Sequence, residues 1–152
     1  MHIFRDKKQK GIILSWTAVL LWMLLIFLLS AQPAQQSNQL SKGLTGVIIE
    51  TAEKVTSSFE ININRFNHLL RKNAHFFAYL ILGVLVINAF RKSEVVGVRG
   101  VVLTLVICVI YAISDELHQL FVPGRGGQLR DVLIDSAGVI VGIIIYQRSS
   151  KI

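Results

Sequence analysis

Residues 12–29 read IILSWTAVLLWMLLIFLL, eighteen positions without a charge in which only Ser15 and Thr17 are polar. At about 1.5 Å per residue, a helix of that length covers roughly 27 Å, close to the hydrocarbon thickness of a bilayer. Arg5, Lys7, Lys8 and Lys10 precede it as they would in a signal peptide, and Ala31-Gln32-Pro33-Ala34 resembles a cleavage site. Signal cores run only about 7–15 residues, so the segment is expected to remain as a span. Three more apolar stretches follow. Residues 74–90 are apolar between His75 and Asn88, residues 100–114 carry no charge before Asp115 and Glu116, and residues 132–146 hold one charge, Asp135. The last two are long enough to span only if their ionisable ends are helical and buried against protein.

The sequence therefore predicts an all-α protein: an integral membrane four-helix bundle forming one domain over residues 1–152. Its spans are expected at about 12–30, 74–90, 99–120 and 131–147. Composition agrees. Hydrophobic residues make up 53% of the chain and charged residues 16%, against about 25% charged in a soluble domain. The single cysteine, Cys108, excludes an internal disulfide and a Cys-based zinc site. Between spans one and two, Leu40, Leu44, Val47, Ile48, Val55 and Phe59 recur at helical spacing. They predict an amphipathic helix in the outer loop, lying on the membrane surface or packed as a connector.

Lysine and arginine density sets orientation. Nine basic residues against two acidic ones lie in the short segments on the side of the termini, and seven against seven lie on the other. The chain is expected in the cell membrane with both termini cytoplasmic. The formal charge of +7 is then an anchor against an anionic inner leaflet, and nucleic acid is not an expected partner.

On that topology the chemistry gathers at the outer side. Arg71, Lys72 and His75 open span two, Asp115, Glu116, His118 and Gln119 close span three, Arg125 sits in the outer loop, and Asp131 and Asp135 begin span four. Ionisable groups inside spans are costly and point to a functional site by default. Arg71, His75 and Tyr79 share a face at four-residue steps. Asp115, His118 and Gln119 share another, with Glu116 about 100° away. Asp131 and Asp135, one turn apart, need a cation or a shared proton between them, and Arg125 and Arg130 are the near candidates. No closed metal-ligand spacing is present, so no metal site is assigned and the cofactor stays unknown. Gly138 and Gly142 form a small-xxx-small pair suited to helix packing.

These residues resemble the VanZ-like family of small bacterial membrane proteins. The matching pieces are Ser30-Ala-Gln-Pro33, Arg71-Lys72-x-x-His75-Phe76-x-x-Tyr79, Asp115-Glu116-x-His118-Gln119 running to Pro123-Gly124-Arg125, and Asp131 with Gly138 and Gly142. Two positions depart from the family's pattern: Asp135 stands where asparagine is usual, and Ala78 where glutamate is frequent. The resemblance implies a link to the cell envelope and to low-level resistance to teicoplanin-type glycopeptides.

Two classes of function stay open. In one, an outer-leaflet site binds or modifies an anionic lipid-linked component, with a cell-wall precursor or the glycopeptide as partner. There His75, Asp115, Glu116, His118 and Asp131 carry any acid–base work, and Arg71, Lys72, Gln119, Arg125 and Asp135 hold the ligand. In the other, the protein is non-catalytic and the polar network only holds the bundle. Transport is weaker, because the inner halves of the spans carry few polar groups.

Overall fold

The computed structural model describes residues 2–33 and 63–149, with side chains from 7–33 and 73–149. Four helices follow one another: α1 (His2–Ser30), α2 (Ile63–Lys92), α3 (Gly97–Gln119) and α4 (Leu129–Ser149). All regular structure among the described residues is helical. The expected amphipathic helix falls outside the described residues.

α1 stops where Pro33 disfavours a helical Gln32. α2 ends in a Schellman motif. The Val95 amide donates to the Phe90 carbonyl at 2.9 Å, the Glu94 amide to Arg91 at 3.1 Å, and Glu94 takes the left-handed conformation (φ 66°). Arg91 and Lys92 in the last turn complement the helix dipole. The Glu94 carboxylate also accepts from Lys8 of α1, whose ammonium holds it below the ordinary carboxylate range.

α1, α2 and α3 each contain a segment long and apolar enough to cross a membrane: Lys7–Ser30, Asn73–Lys92 and Gly97–Gln119. Their outward faces are greasy. Leu14, Leu20, Leu21 and Leu28 of α1 are all more than half exposed, as a face bathed in lipid requires. α4 is not among the long apolar segments; Arg130, Asp131 and Asp135 crowd its first turns. It nonetheless packs along α2 from His75 to Asn88. Gly138 packs on the Phe76 carbonyl, Gly142 on that of Leu80, and a Cβ at Gly83 would lie 2.9 Å from the Val139 carbonyl oxygen. At the far end, the Tyr146 hydroxyl donates to Asn88 Oδ1 at 3.1 Å. Backbones touch because glycine removes the side chain between them.

The core is Tyr79, Leu82 and Val86 of α2, Cys108 and Ala112 of α3, and Val139 and Ile143 of α4, closed on one side by Val19 and Ile26 of α1. Polar bonds fix α1 in place. Trp22 Nε1 donates to the Ala78 carbonyl at 2.9 Å, and the Tyr111 hydroxyl donates to the Met23 carbonyl at 2.6 Å. The start of α1, the α2–α3 turn and the end of α4 meet at one end of the bundle, joined by Lys8–Glu94, Trp16–Ser93 and Arg91 over the Tyr146 ring. A belt of basic residues therefore lies at one end, and the acidic residues of α3 and α4 lie at the other.

Candidate functional site

Along α3 the buried face steps by fours: Gly100, Thr104, Cys108, Ala112, then Glu116. Four small residues let neighbouring helices close in, and the same face ends on a carboxylate flanked by buried Asp115 and Gln119. Gln119 Nε2 donates to Glu116 Oε1 at 3.1 Å and to Asp115 Oδ2 at 3.3 Å. Glu116 Oε2 accepts the Gln128 backbone amide at 2.9 Å, which ties the α3–α4 loop down over the helix end. Gly127 is pressed on the Glu116 carbonyl, where a side chain would collide.

The loop turns at Val122-Pro123-Gly124-Arg125. The Arg125 amide donates to the Val122 carbonyl at 3.1 Å, and Gly124 has φ 76°. Proline then glycine at the two central positions suits a type II turn, which needs positive φ at the second. The turn delivers Arg125 Nη2 to the Leu29 carbonyl at 3.4 Å, near the C-terminus of α1, where a cation meets the negative end of the helix dipole.

α2 and α4 supply the opposite wall. His75 Nδ1 lies 3.8 Å from Asp135 Oδ2. Asp135 is 0% exposed, and neither of its carboxylate oxygens has a hydrogen-bond partner. The Tyr79 hydroxyl, one turn deeper than His75, and Asp115 Oδ1 are also buried without one. Between the walls is a partly open cavity of about 190 Å³. It is lined by His75 of α2, Glu116 and Gln119 of α3, Arg125 and Gln128 of the loop, and Asp131 and Asp135 of α4.

The cavity thus gathers six of the residues singled out from the sequence: His75, Glu116, Gln119, Arg125, Asp131 and Asp135. Asp115 stands behind it, bonded to Gln119. Arg71 and Lys72 lie in α2 within a turn of His75, and their side chains are outside the described residues. The helical grouping along α3 needs correction at His118. Glu116, set apart by its phase, faces the cavity. His118, grouped with Asp115 and Gln119, turns to α1, its ring 4.6 Å from that of Phe27. Glu116 ends the buried face of α3, and His118, two residues on, lies about 160° round the helix from it. Asp135 faces His75 of α2 at 3.8 Å, Arg125 lines the same cavity as Asp131, and Arg130 is exposed. Sequence reasoning missed Gln128, whose backbone amide acts and leaves no side-chain signal. Tyr79 follows the ladder of Arg71 and His75 read from the sequence and brings its buried hydroxyl one turn below His75.

Among the described residues, no three His, Cys, Asp or Glu side chains are grouped to hold a metal ion. The arrangement offers acceptors deep in the cavity, one guanidinium at the loop side and a histidine between them. No curated protein and no solved structure matches the chain. The family described as VanZ/LLP1 matches residues 15–150, nearly the whole length and every element that builds the cavity, and the chain belongs to that family.

Proposed function

We infer that this membrane protein binds the polar headgroup of a lipid-linked envelope component in the cavity between α2, α3, α4 and the Arg125 loop. One observation carries the reading: buried acceptors at Asp135, Asp115 and Tyr79 stay unsatisfied beside an open cavity. A network that only held helices together would close its own hydrogen bonds, because each buried polar group left without one costs about 1–3 kcal/mol. Arg125 suits the anionic part of such a headgroup, since its planar fork matches phosphate. His75, which lines the cavity beside Asp135, is the side chain there suited to proton transfer.

The orientation is inferred from the basic belt. Lys7, Lys8, Lys10, Arg91, Lys92, Arg99 and Arg148 share the end away from the cavity, which favours cytoplasmic termini and an outward-facing site. Low-level teicoplanin resistance would follow from handling a wall-precursor headgroup at that face.

Native mass spectrometry of the purified full chain tests the reading. The chain is presented with a phosphate-headed lysolipid and a monoacylglycerol of the same acyl length. Retention of the phosphate-headed lipid alone is expected; equal retention would contradict a headgroup site.

A further inference from the structure

Of the carboxylates that line the cavity, Glu116 is satisfied by Gln119 and the Gln128 amide, and Asp135 is not. Asp135 lies at 0% exposure with both oxygens lacking a hydrogen-bond donor, and His75 Nδ1, at 3.8 Å, is beyond hydrogen-bond length. Asp115 Oδ1 and the Tyr79 hydroxyl oxygen are unpartnered nearby, at 2% and 0% residue exposure. A buried carboxylate without donors calls for a cation that brings its own. A divalent metal ion fits poorly, because no three of the described ligand-type side chains are grouped for one. A primary ammonium fits: it carries one positive charge and three N–H donors that can be shared among separate acceptors. A quaternary ammonium carries the charge without the donors. Arg125, on the loop side of the same cavity, is the group for an adjoining phosphate.

We propose that the cavity takes a primary ammonium group joined to a phosphate, a phosphoethanolamine-type zwitterion, with the ammonium on Asp135 and the phosphate toward Arg125. This rests on the headgroup reading above and narrows its ligand class. The shared chemistry occurs in an amine-headed phospholipid and in free ethanolamine phosphate. Only the lipid also offers acyl chains to the exposed apolar faces of the bundle.

The test is a set of equilibrium titrations of the detergent-purified full chain with lysophosphatidylethanolamine, lysophosphatidylcholine, lysophosphatidylglycerol and free ethanolamine phosphate. Lysophosphatidylethanolamine is expected to bind about tenfold more tightly than the choline and glycerol lipids, a factor of ten being about 1.4 kcal/mol. Asp135→Asn, nearly isosteric and still able to hydrogen-bond, should erase that preference. Tight binding of free ethanolamine phosphate would identify the headgroup as sufficient, and binding of the lipid alone would assign the acyl chains a share; both support the ammonium site. The choline comparison uses the unaltered chain, so a variant that fails to fold does not blunt it. Equal affinity for the three lysolipids would overturn the ammonium site and leave a phosphate-headgroup site standing. Retention of the preference in Asp135→Asn would overturn the role of Asp135. Failure to bind any of the four would overturn both this inference and the reading beneath it.

Discussion

His75 and Asp135 face one another across the α2–α4 interface at 3.8 Å, directly above the point where Gly138 packs on the Phe76 carbonyl. The glycine contact and the polar pair are one construction. Phe76 follows His75 in the chain, and Gly138 lies within a turn of Asp135. The distance between the two ionisable groups is therefore set by how closely the two backbones approach.

Gly138→Ala and Gly142→Ala should each destabilise the chain by about 1–3 kcal/mol, because the new methyl meets backbone rather than a flexible side chain. Gly11→Ala is the control. A Cβ there meets nothing within 4 Å, so it should be neutral or stabilising by up to about 1 kcal/mol. Thermal unfolding in detergent decides, and equal effects at the three sites would contradict the packing described.

Two tyrosines should respond oppositely. Tyr111→Phe loses a 2.6 Å bond to the Met23 carbonyl and should cost about 0.5–1.5 kcal/mol. Tyr79→Phe removes a buried hydroxyl that has no partner. Stability should hold or rise, while headgroup affinity falls about threefold or more if the hydroxyl accepts from the ligand. Unfolding curves and lysolipid titrations of the two variants separate these outcomes.

Orientation is open to labelling with a membrane-impermeant maleimide in intact cells. Gly126→Cys, at an exposed position with free space around the Cβ, should react from outside, and Lys92→Cys should not. Cys108 is buried and should stay silent. The reverse pattern would put the cavity on the cytoplasmic side.

Glu94 gives a pH signature at the opposite end. Lys8 lowers its folded pKa, so the pair's stabilisation is complete above the unfolded carboxylate value and is lost as pH falls through the folded one. With side chains 54% and 74% exposed, the contribution is small and salt-screened. An NMR titration should show Glu94 protonating below the ordinary range in low salt and moving toward it in high salt. A value at or above that range would contradict the pair.

Much of the fold was legible because residues 12–29 match membrane length without interruption, and because Gly138 and Gly142 repeat at a packing interval. The convergence of His75, Glu116, Arg125 and Asp135 was legible from helix ends alone, since alternating spans deliver alternate ends to one side. The rotation of α3 was not. Its buried face is marked by Gly100, Thr104, Cys108 and Ala112, which stand out little in a helix that is apolar all round. His118 accordingly faces Phe27 of α1 and not the cavity. The Gln128 amide on Glu116 depends on how the loop folds back, and no side-chain pattern encodes that.

The most direct test of the cavity as a binding site rather than a helix staple is Arg125→Lys, followed by thermal unfolding and lysophosphatidylglycerol affinity on the same purified sample. Lysine keeps the charge but loses the bidentate fork. An unchanged melting midpoint with affinity reduced about tenfold, or about 1.4 kcal/mol, is the result expected of a site. A fall in the midpoint with affinity unchanged in the folded fraction would contradict it and leave Arg125 as a clamp on the end of α1.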